Sequence, residues 1–416
     1  MLRARNVSDF FGLTKSTTGL LFMVVLVGMG ERMAERFLPI YLLALGAGVI
    51  SIGLLNGLDN FLSAVYAFPG GYLSERIGTK RALLVFNFMA MAGFLIVILI
   101  PAWQAVLVGA VFFLAWSAIS LPATMGLIAK VLPTGKRTMG VTMHSLVRRF
   151  PMALGPILGG LCIGAWGVTN GVRVAFCLAL VLSVIAVLLQ QKLIEDDSKS
   201  ISDDDAGTAA EKNPWRLLQS MDTSLKRLLV SDILIRFCEQ IPYAFVVVWC
   251  MKTIAQPVTA FQFGILTAIE MATAVLVYIP VAHLADKTAK KPFVVITFIF
   301  FTFFPLVLLF CRSFRWLIAA FILRGLKEFG EPTRKALILD LAPDAHKAGM
   351  YGLYYFIRDV CVSVAAFGGA FLWQISPTTN FIVAFLFGVA GTLGFTRYGK
   401  DYTDSTLTIS GIFFFI

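Results

Sequence analysis

The chain has 416 residues, of which 58% are hydrophobic and only 14% are charged. A water-soluble domain has about 25% charged residues, so this composition excludes an ordinary soluble protein. The net charge of +11 does not indicate nucleic-acid binding, because Lys and Arg lie mainly in short loops between apolar runs.

Apolar runs of the length that an α-helix needs to cross a bilayer follow one another along the chain. They are too long and too continuous for the strands of a membrane barrel. We therefore predict an all-α integral membrane protein of about twelve transmembrane helices. The predicted spans are 18–45, 49–72, 82–100, 104–129, 138–163, 174–191, 228–251, 258–283, 292–311, 316–333, 348–373 and 378–396.

Basic residues are distributed unequally between the two sets of loops. With the N-terminus inside, the outer loops hold only Arg173, Lys252, Arg312 and Arg315, so we expect both termini in the cytoplasm. The one long polar segment predicts a cytoplasmic linker over 192–227. It joins an N-terminal six-helix bundle over 1–191 to a C-terminal six-helix bundle over 228–416.

The two halves resemble each other at a shift of about 210 residues. Asp59 aligns with Glu270 and Arg148 aligns with Arg358, although all four lie within apolar spans. Other aligned pairs are Pro69 with Pro280, Pro122 with Pro332, Gly159 with Gly369, and Arg32-x-x-Glu35 with Arg236-x-x-Glu239. Such a repeat predicts pseudo-symmetric bundles around a cavity near the middle of the membrane.

A loop motif follows the second span, and it resembles a motif of a known protein family. The run Gly71-Tyr72-Leu73-Ser74-Glu75-Arg76-Ile77-Gly78-Thr79-Lys80-Arg81 resembles the signature loop between helices 2 and 3 of the major facilitator superfamily (MFS). It departs from that pattern at Thr79, and the run from Leu284 to Lys291 is a degenerate second copy. The resemblance implies the MFS fold of two bundles that rock about a central site. It also implies a cytoplasmic gate formed by Gly71, Glu75, Arg76, Gly78, Lys80, Arg81 and Asp286.

The fifth span carries a second motif. Gly155-Pro156-Ile157-Leu158-Gly159-Gly160 resembles the core of the helix-5 motif of bacterial proton-linked exporters in that superfamily, without its upstream glycines. The resemblance implies proton-coupled export across a bacterial plasma membrane. Independently, Gly155-x-x-x-Gly159 predicts close helix packing.

Acids and bases inside the spans are the strongest functional signal. Each costs about 2.5–3.5 kcal/mol at mid-helix if it is unpaired, so these side chains must pair or face a wet cavity. The acids are Glu31, Glu35, Asp59, Glu239, Glu270, Glu328, Glu331 and Asp359, and the bases are Arg32, Arg36, Arg148, Arg149, Arg236, Arg324, Lys327 and Arg358.

Asp59 and Glu270 are the first candidates for carrying a coupling proton, because neither has a base within one turn of its own helix. The alternative is a neutral carboxyl group that bonds to a neighbouring helix. Glu31 and Glu35 are further candidates, since like charges at i and i+4 favour protonation of one of them. Their alternative is structural pairing with neighbouring arginines, for example Arg32 with Glu35 at i+3.

Arg148 and Arg358 lie at equivalent depths and could hold an anionic substrate or pair with acids across the bundle. Arg32, Arg236 and Glu239 complete the candidates for a substrate or charge network. In the tenth span we expect two structural ion pairs at i+4, Arg324–Glu328 and Lys327–Glu331.

The sequence therefore predicts a secondary active transporter of a small organic solute, exported with H⁺ as coupling ion. The alternative is proton-driven uptake of an organic anion or peptide. A membrane-embedded enzyme, receptor or scramblase is disfavoured, because no HExxH, GxSxG or nucleotide-binding loop is present. We expect no catalytic activity, no cofactor, no metal and a monomer.

Overall fold

The computed structural model describes residues 15–114, 116, 120, 124, 134–194, 218–285, 290–343 and 347–400. All regular elements in these ranges are helical, as the apolar runs predict. The N-terminal half contains α1 (Lys15–Glu35), α2 (Leu38–Ala44), α3 (Val49–Ile77), α4 (Thr79–Leu99), α5 (Trp103–Phe113) and α6 (Thr134–Leu193). The C-terminal half contains α7 (Thr223–Tyr243), α8 (Phe245–Val248), a π-helical turn (Trp249–Thr253), α9 (Ala260–Ala285), α10 (Lys291–Phe310), α11 (Phe314–Leu326), α12 (Glu331–Leu341), α13 (Lys347–Ile375) and α14 (Pro377–Tyr398).

The long helix α6 comprises two crossings that meet at Gly167. This glycine has φ of 73°, a conformation that residues with a Cβ rarely adopt. The backbone at Gly171 lies against Cys162 and Ile163, which shows that the chain turns back at Gly167. We call the part before Gly167 α6a and the part after it α6b.

The first crossing of each half is broken near a proline, Pro39 in the N-terminal half and Pro242 in the C-terminal half. α1 ends at Glu35, and Pro39 occupies the first turn of α2, where a missing N–H costs nothing. Pro242 lies one residue before the end of α7, and the chain continues through α8 into the π-helical turn.

The lengths of the helices and their exposed apolar side chains agree with a membrane-spanning protein. Eight segments of the described chain are long and apolar enough to cross a bilayer, and one of them, Val147–Leu193, contains both α6 crossings. Large apolar side chains such as Leu276, Val364 and Leu393 are 63–73% exposed, which is expected where the surrounding solvent is lipid. The predicted span 104–129 lies only partly within the described residues.

Contacts between helix ends define two faces of the bundle. The terminal face contains the start of α1 against the end of α6b, through Gly19 and Leu193, and Arg227 of α7 beside the end of α14. The distal face contains Arg173, which donates to the carbonyl oxygen of Ile98. α7 begins at Thr223, five residues before the predicted domain boundary, and most of the predicted linker 192–227 lies outside the described residues.

Glycines at aligned positions make equivalent contacts in the two halves. Gly159 of α6a packs on Met33 and Phe37, and Gly369 of α13 packs on Ile241 of α7. The helix-5 motif is therefore a packing surface in this structure, as predicted: Gly155 lies against the backbone at Arg32.

The halves meet at the distal face through small residues. Gly53 and Gly57 of α3 pack on α13 at Phe367 and Ala370. At the aligned interface, Gly264 of α9 packs on the backbone of Pro156 and Ile157, and Gly160 packs on Ala260. Close backbone approach of this kind needs residues without a large side chain, and it closes the bundle above the cavity described next.

Candidate functional site

A cavity lies between the halves, next to the breaks in the first crossing of each. Its lining includes Glu35, Arg36 and Asp59 from the N-terminal half and Tyr243 and Arg324 from the C-terminal half. The space open to the centres of water molecules is about 40 Å³. That is room for a few waters.

The end of α1 carries a compact charge cluster. One Arg32 nitrogen lies 2.6 Å from Glu35 Oε2, which confirms the pair expected at i+3, and another lies 3.8 Å from Glu31. Glu31 is 4% exposed. Arg32 therefore bridges the two like-charged glutamates and offsets their repulsion, which favours the structural alternative for this pair.

Asp59 lies on α3 at the cavity and is half-buried. Within the part of the chain that the structure describes, its carboxylate has no hydrogen bond and no base within 4 Å. The charges that act on it most strongly are those of Glu35, Arg32, Glu31 and Arg36. It is thus the solitary cavity acid that the sequence predicts.

Glu270 was also predicted to be a solitary acid, and that prediction is wrong, because bases from another helix contact it. Its Oε1 lies 3.3 Å from Arg324 Nε and 3.5 Å from Lys327 Nζ. Neither carboxylate oxygen makes a hydrogen bond to a described residue, and the side chain is 1% exposed. Glu270 is an ion-paired acid rather than a solitary one, since α11 packs against α9 at this depth.

A continuous charge network extends from Glu270 through the C-terminal half. Lys327 also contacts Glu239 at 2.6 Å, and Glu239 accepts a 2.6 Å bond from Arg236. Arg236 lies 3.5 Å from Glu331. The aligned pair Arg236-x-x-Glu239 therefore repeats the Arg32–Glu35 contact and links it to α12.

Two members of this network were not among the predicted site residues. Arg334 binds Asp232 and, at 2.7 Å, Glu331, and both Arg334 and Asp232 are 1% exposed. Asp232 also accepts a 3.1 Å bond from Tyr354. The sequence placed Asp232 at a span edge and Arg334 in a loop. Because α7 begins at Thr223, Asp232 lies well inside a helix, and its position four residues before Arg236 was the available signal.

The two ion pairs predicted within the tenth span are wrong. Arg324 pairs with Glu270, and Lys327 pairs with Glu239 and Glu270. Glu328 pairs with Arg149 at 3.1 Å. The spacing fails because α11 ends at Leu326 and α12 starts at Glu331, so residues 327–330 do not continue one helix.

The two aligned arginines have different surroundings. Arg358 lies 2.7 Å from Asp359 and 3.6 Å from Asp232, so it belongs to the charge network. Arg148 is half-buried on α6a, where Arg32, Glu31 and Arg149 are the charges that act on it. The pair Arg149–Glu328 joins α6a to the segment between α11 and α12 and so connects the two halves.

The loop motif is described in part. Gly78 has φ of 84° and ψ of 151°, a region open essentially to glycine, so the turn between α3 and α4 requires it. Lys80 Nζ donates a 3.0 Å bond to the carbonyl oxygen of Gln191, and Arg76 and Arg81 are exposed. Nothing is described of Gly71 and of the Glu75 side chain beyond their place in α3, and Asp286 lies outside the described residues, so the gate between halves stays a prediction.

The residues described here include no cluster of His, Cys, Asp and Glu suited to a metal ion. Around a small space between the two bundles, the described residues instead place one acid without a counter-ion, two guanidinium groups and an ion-pair network.

Comparisons with known proteins agree with the fold. The chain matches the model of the Major Facilitator Superfamily over residues 20–255 and 228–408. It is 22% identical over 380 residues to the MFS-type transporter MJ1317 of Methanocaldococcus jannaschii, covering 89% of this chain and 91% of that protein.

Solved structures with low sequence identity share the architecture. The peptide transporter POT in complex with sulfate superposes with a TM-score of 0.74 at 13% identity, over 94% of each chain. A variant of the nucleoside transporter NupG gives a TM-score of 0.74 at 13% identity, over 92% of this chain and 100% of that one. At such identities the likeness concerns the fold alone, whereas the family model covers most of the sequence. The chain therefore belongs to the Major Facilitator Superfamily, as an integral membrane secondary transporter.

Proposed function

We propose that this transporter couples the movement of a small organic solute to a proton gradient. The observation that carries the proposal is Asp59, a carboxylate at the cavity with neither a hydrogen bond nor an ion pair among the described residues. Glu35 at the same cavity, and Glu239 and Glu270 in the C-terminal half, are held by bases. An acid without a counter-ion exchanges a proton with cavity water without breaking an ion pair.

Alternating access follows from the size and position of the cavity. About 40 Å³ is open to water centres, and helices of the two halves close the distal face above it. A solute therefore requires rocking of one bundle against the other, the movement expected of pseudo-symmetric repeats.

The proposed direction is export, by exchange of a proton against the solute. It rests on the helix-5 motif around Gly155 and Pro156. The proposal includes a monomer in a bacterial plasma membrane with both termini in the cytoplasm, as the excess of Lys and Arg on one side favours. A second candidate is proton-driven uptake of an organic anion or peptide, which Arg36 and Arg324 at the cavity favour.

The test is reconstitution of the full chain into liposomes, with a solute screen under imposed pH gradients of both signs. Accumulation driven by an acidic interior indicates proton–solute exchange, and accumulation driven by an acidic exterior indicates uptake together with a proton.

For the solute found, we expect Asp59→Asn to abolish gradient-driven accumulation and to retain solute exchange at equal pH. Asp59→Glu should keep coupling, because it keeps a carboxyl group, and Asn60→Ala serves as the neighbouring control. If flux ignores both the gradient and Asp59→Asn, the proposal is wrong.

A further inference from the structure

Two guanidinium groups from opposite halves meet at one aromatic ring in the cavity. The guanidinium carbon of Arg36 lies 5.1 Å from the centroid of the Tyr243 ring, and that of Arg324 lies 5.5 Å from it. Both distances are within the range of cation–π attraction. Arg324 also lies 5.1 Å from the centroid of the Phe304 ring. The rings hold the guanidinium groups in place without neutralising them.

One of these two arginines has no described carboxylate beside it. Among the described residues, Arg36 has no carboxylate within 4 Å. Arg324 shares Glu270 with Lys327. Of the other acids at the cavity, Glu35 is bound by Arg32, and Asp59 is neutral whenever it carries the proposed coupling proton. Arg36 is therefore a base at the cavity whose charge no described carboxylate offsets at ion-pair distance.

The remaining wall of the cavity is apolar. Leu38, Leu55, Val247 and Phe263 belong to its lining. Such a wall suits the hydrocarbon part of a solute, while the few convergent polar groups fix its orientation. The combination describes a ligand with one charged end and an apolar body.

We propose that the cavity binds a small organic anion, with its carboxylate or phosphate group between Arg36 and Arg324. This inference rests on the proposed function and names its substrate class. Guanidinium groups form paired hydrogen bonds with both kinds of anion. A neutral solute would leave the half-buried charge of Arg36 without a described anionic partner at ion-pair distance.

The geometry also explains why such a solute is carried. Arg36 belongs to the N-terminal half, whereas Tyr243 and Arg324 belong to the C-terminal half, so the anion contacts both bundles at once. It offsets the repulsion between the two arginines only when the halves are together. A ligand with this preference shifts the population towards arrangements in which both arginines contact it, with the halves no further apart than the solute requires.

Binding to the purified full chain in detergent tests the substrate class. The probes are benzoate and phenylphosphate, with neutral benzamide and cationic benzylamine as isosteric controls. Titration calorimetry and the shift in thermal midpoint are the measurements. We expect saturable binding of the two anions and none of the two controls.

Variants locate the site. Arg36→Gln should weaken binding of the anions by roughly ten- to a hundredfold, the usual effect of losing a hydrogen bond to a charged group. Arg324→Gln leaves Glu270 without one of its bases and risks misfolding, so the double variant Arg324→Gln/Glu270→Gln replaces it and should weaken binding similarly. Arg315→Gln, at an exposed arginine, is the control and should bind normally.

The outcomes separate this inference from the proposed function. Equal binding of benzoate and benzamide, or unchanged anion binding in Arg36→Gln, overturns the anion site even if a pH gradient drives transport through Asp59. Anion binding that depends on Arg36 supports the site even if no flux responds to a pH gradient, a result that would reject proton coupling alone.

Discussion

Arg334 shows how a single residue makes a charged interior tolerable in this protein. Its guanidinium group donates to both carboxylate oxygens of Glu331 and also binds Asp232. A planar group with donors on several sides can satisfy two carboxylates at once, which a lysine ammonium on a flexible stem does less well. Arg334 is only 1% exposed, so no water replaces these hydrogen bonds if they are lost.

Replacement of Arg334 by Met should therefore be among the most destabilising changes in the C-terminal half. It leaves Asp232 and Glu331 buried with less counter-charge, and breaking a buried pair typically costs about 3–5 kcal/mol. The measurement is unfolding of the purified variant in detergent by heat or denaturant.

The adjacent Lys335 provides the control. Its side chain is 44% exposed and lies 3.5 Å from Glu331, so Lys335→Met should cost no more than about 1 kcal/mol. Equal losses in the two variants would mean that Arg334 is not a structural centre of the network.

For individual residues, the sequence predicts ion-pair partners within one helical turn and no further. Arg32–Glu35 was predicted because i+3 spacing brings the two side chains together on a continuous helix. Arg324–Glu328 failed because the helix is interrupted between Leu326 and Glu331. The contact of Arg324 with Glu270 joins two helices, and no local pattern contains that information.

At the scale of the helices, close crossings depend on a few glycines. A Cβ added to Gly159 would overlap the carbonyl oxygen of Met33, and one added to Gly369 would overlap that of Ile241. The two glycines are aligned in the internal repeat and meet the first crossing of their own halves. In the membrane, such packing supplies much of the attraction between helices.

Gly159→Ala and Gly369→Ala should each lower the thermal midpoint in detergent, because backbone atoms rather than flexible side-chain ends must shift. Overpacking of this kind costs about 1–3 kcal/mol. The matched controls are Gly164→Ala and Gly368→Ala, in the same two helices, where an added Cβ meets no atom within 4 Å.

The controls should be neutral or slightly stabilising, since Ala favours a helix over Gly by about 1 kcal/mol. A loss of stability in Gly368→Ala as large as that in Gly369→Ala would contradict the packing argument.

Most helices were predictable from apolar run length, and their breaks from proline. Pro39 and Pro242 lie where the first crossings are interrupted. The π-helical turn at Trp249–Thr253 was not predictable, because nothing in that apolar run distinguishes it from α-helix. The start of α7 was placed late because its first turns, from Thr223, are polar enough to resemble the linker.

At the scale of the whole molecule, large apolar side chains lie on the exterior, and none of the charged residues that the structure describes inside the predicted spans is exposed. The charge pattern of the apolar spans predicts this arrangement, because charges there have no other stable location. It does not predict which residues of opposite halves touch. Arg149–Glu328 and Arg36–Tyr243 join distant parts of the chain, and they depend on how far apart the bundles are.

The distal interface provides a test of rocking between the bundles. A Cβ on Gly264 would lie 2.5 Å from the carbonyl oxygen of Pro156 and 2.8 Å from the Cα of Ile157. Gly264→Ala should therefore separate α9 from α6a and open the cavity towards the distal face. A strain of about 1–3 kcal/mol is enough for roughly a fivefold or larger change in that equilibrium.

The measurement is labelling of a cysteine at Leu38, a cavity-lining position, after replacement of the six native cysteines. A membrane-impermeant maleimide applied from the distal side should react faster in Gly264→Ala and at an unchanged rate in Gly164→Ala. From the terminal side the same variant should react no faster, because a bundle that rocks opens one face at a time. Faster labelling from both sides would indicate loosened packing and would reject the rocking of two rigid halves about this cavity.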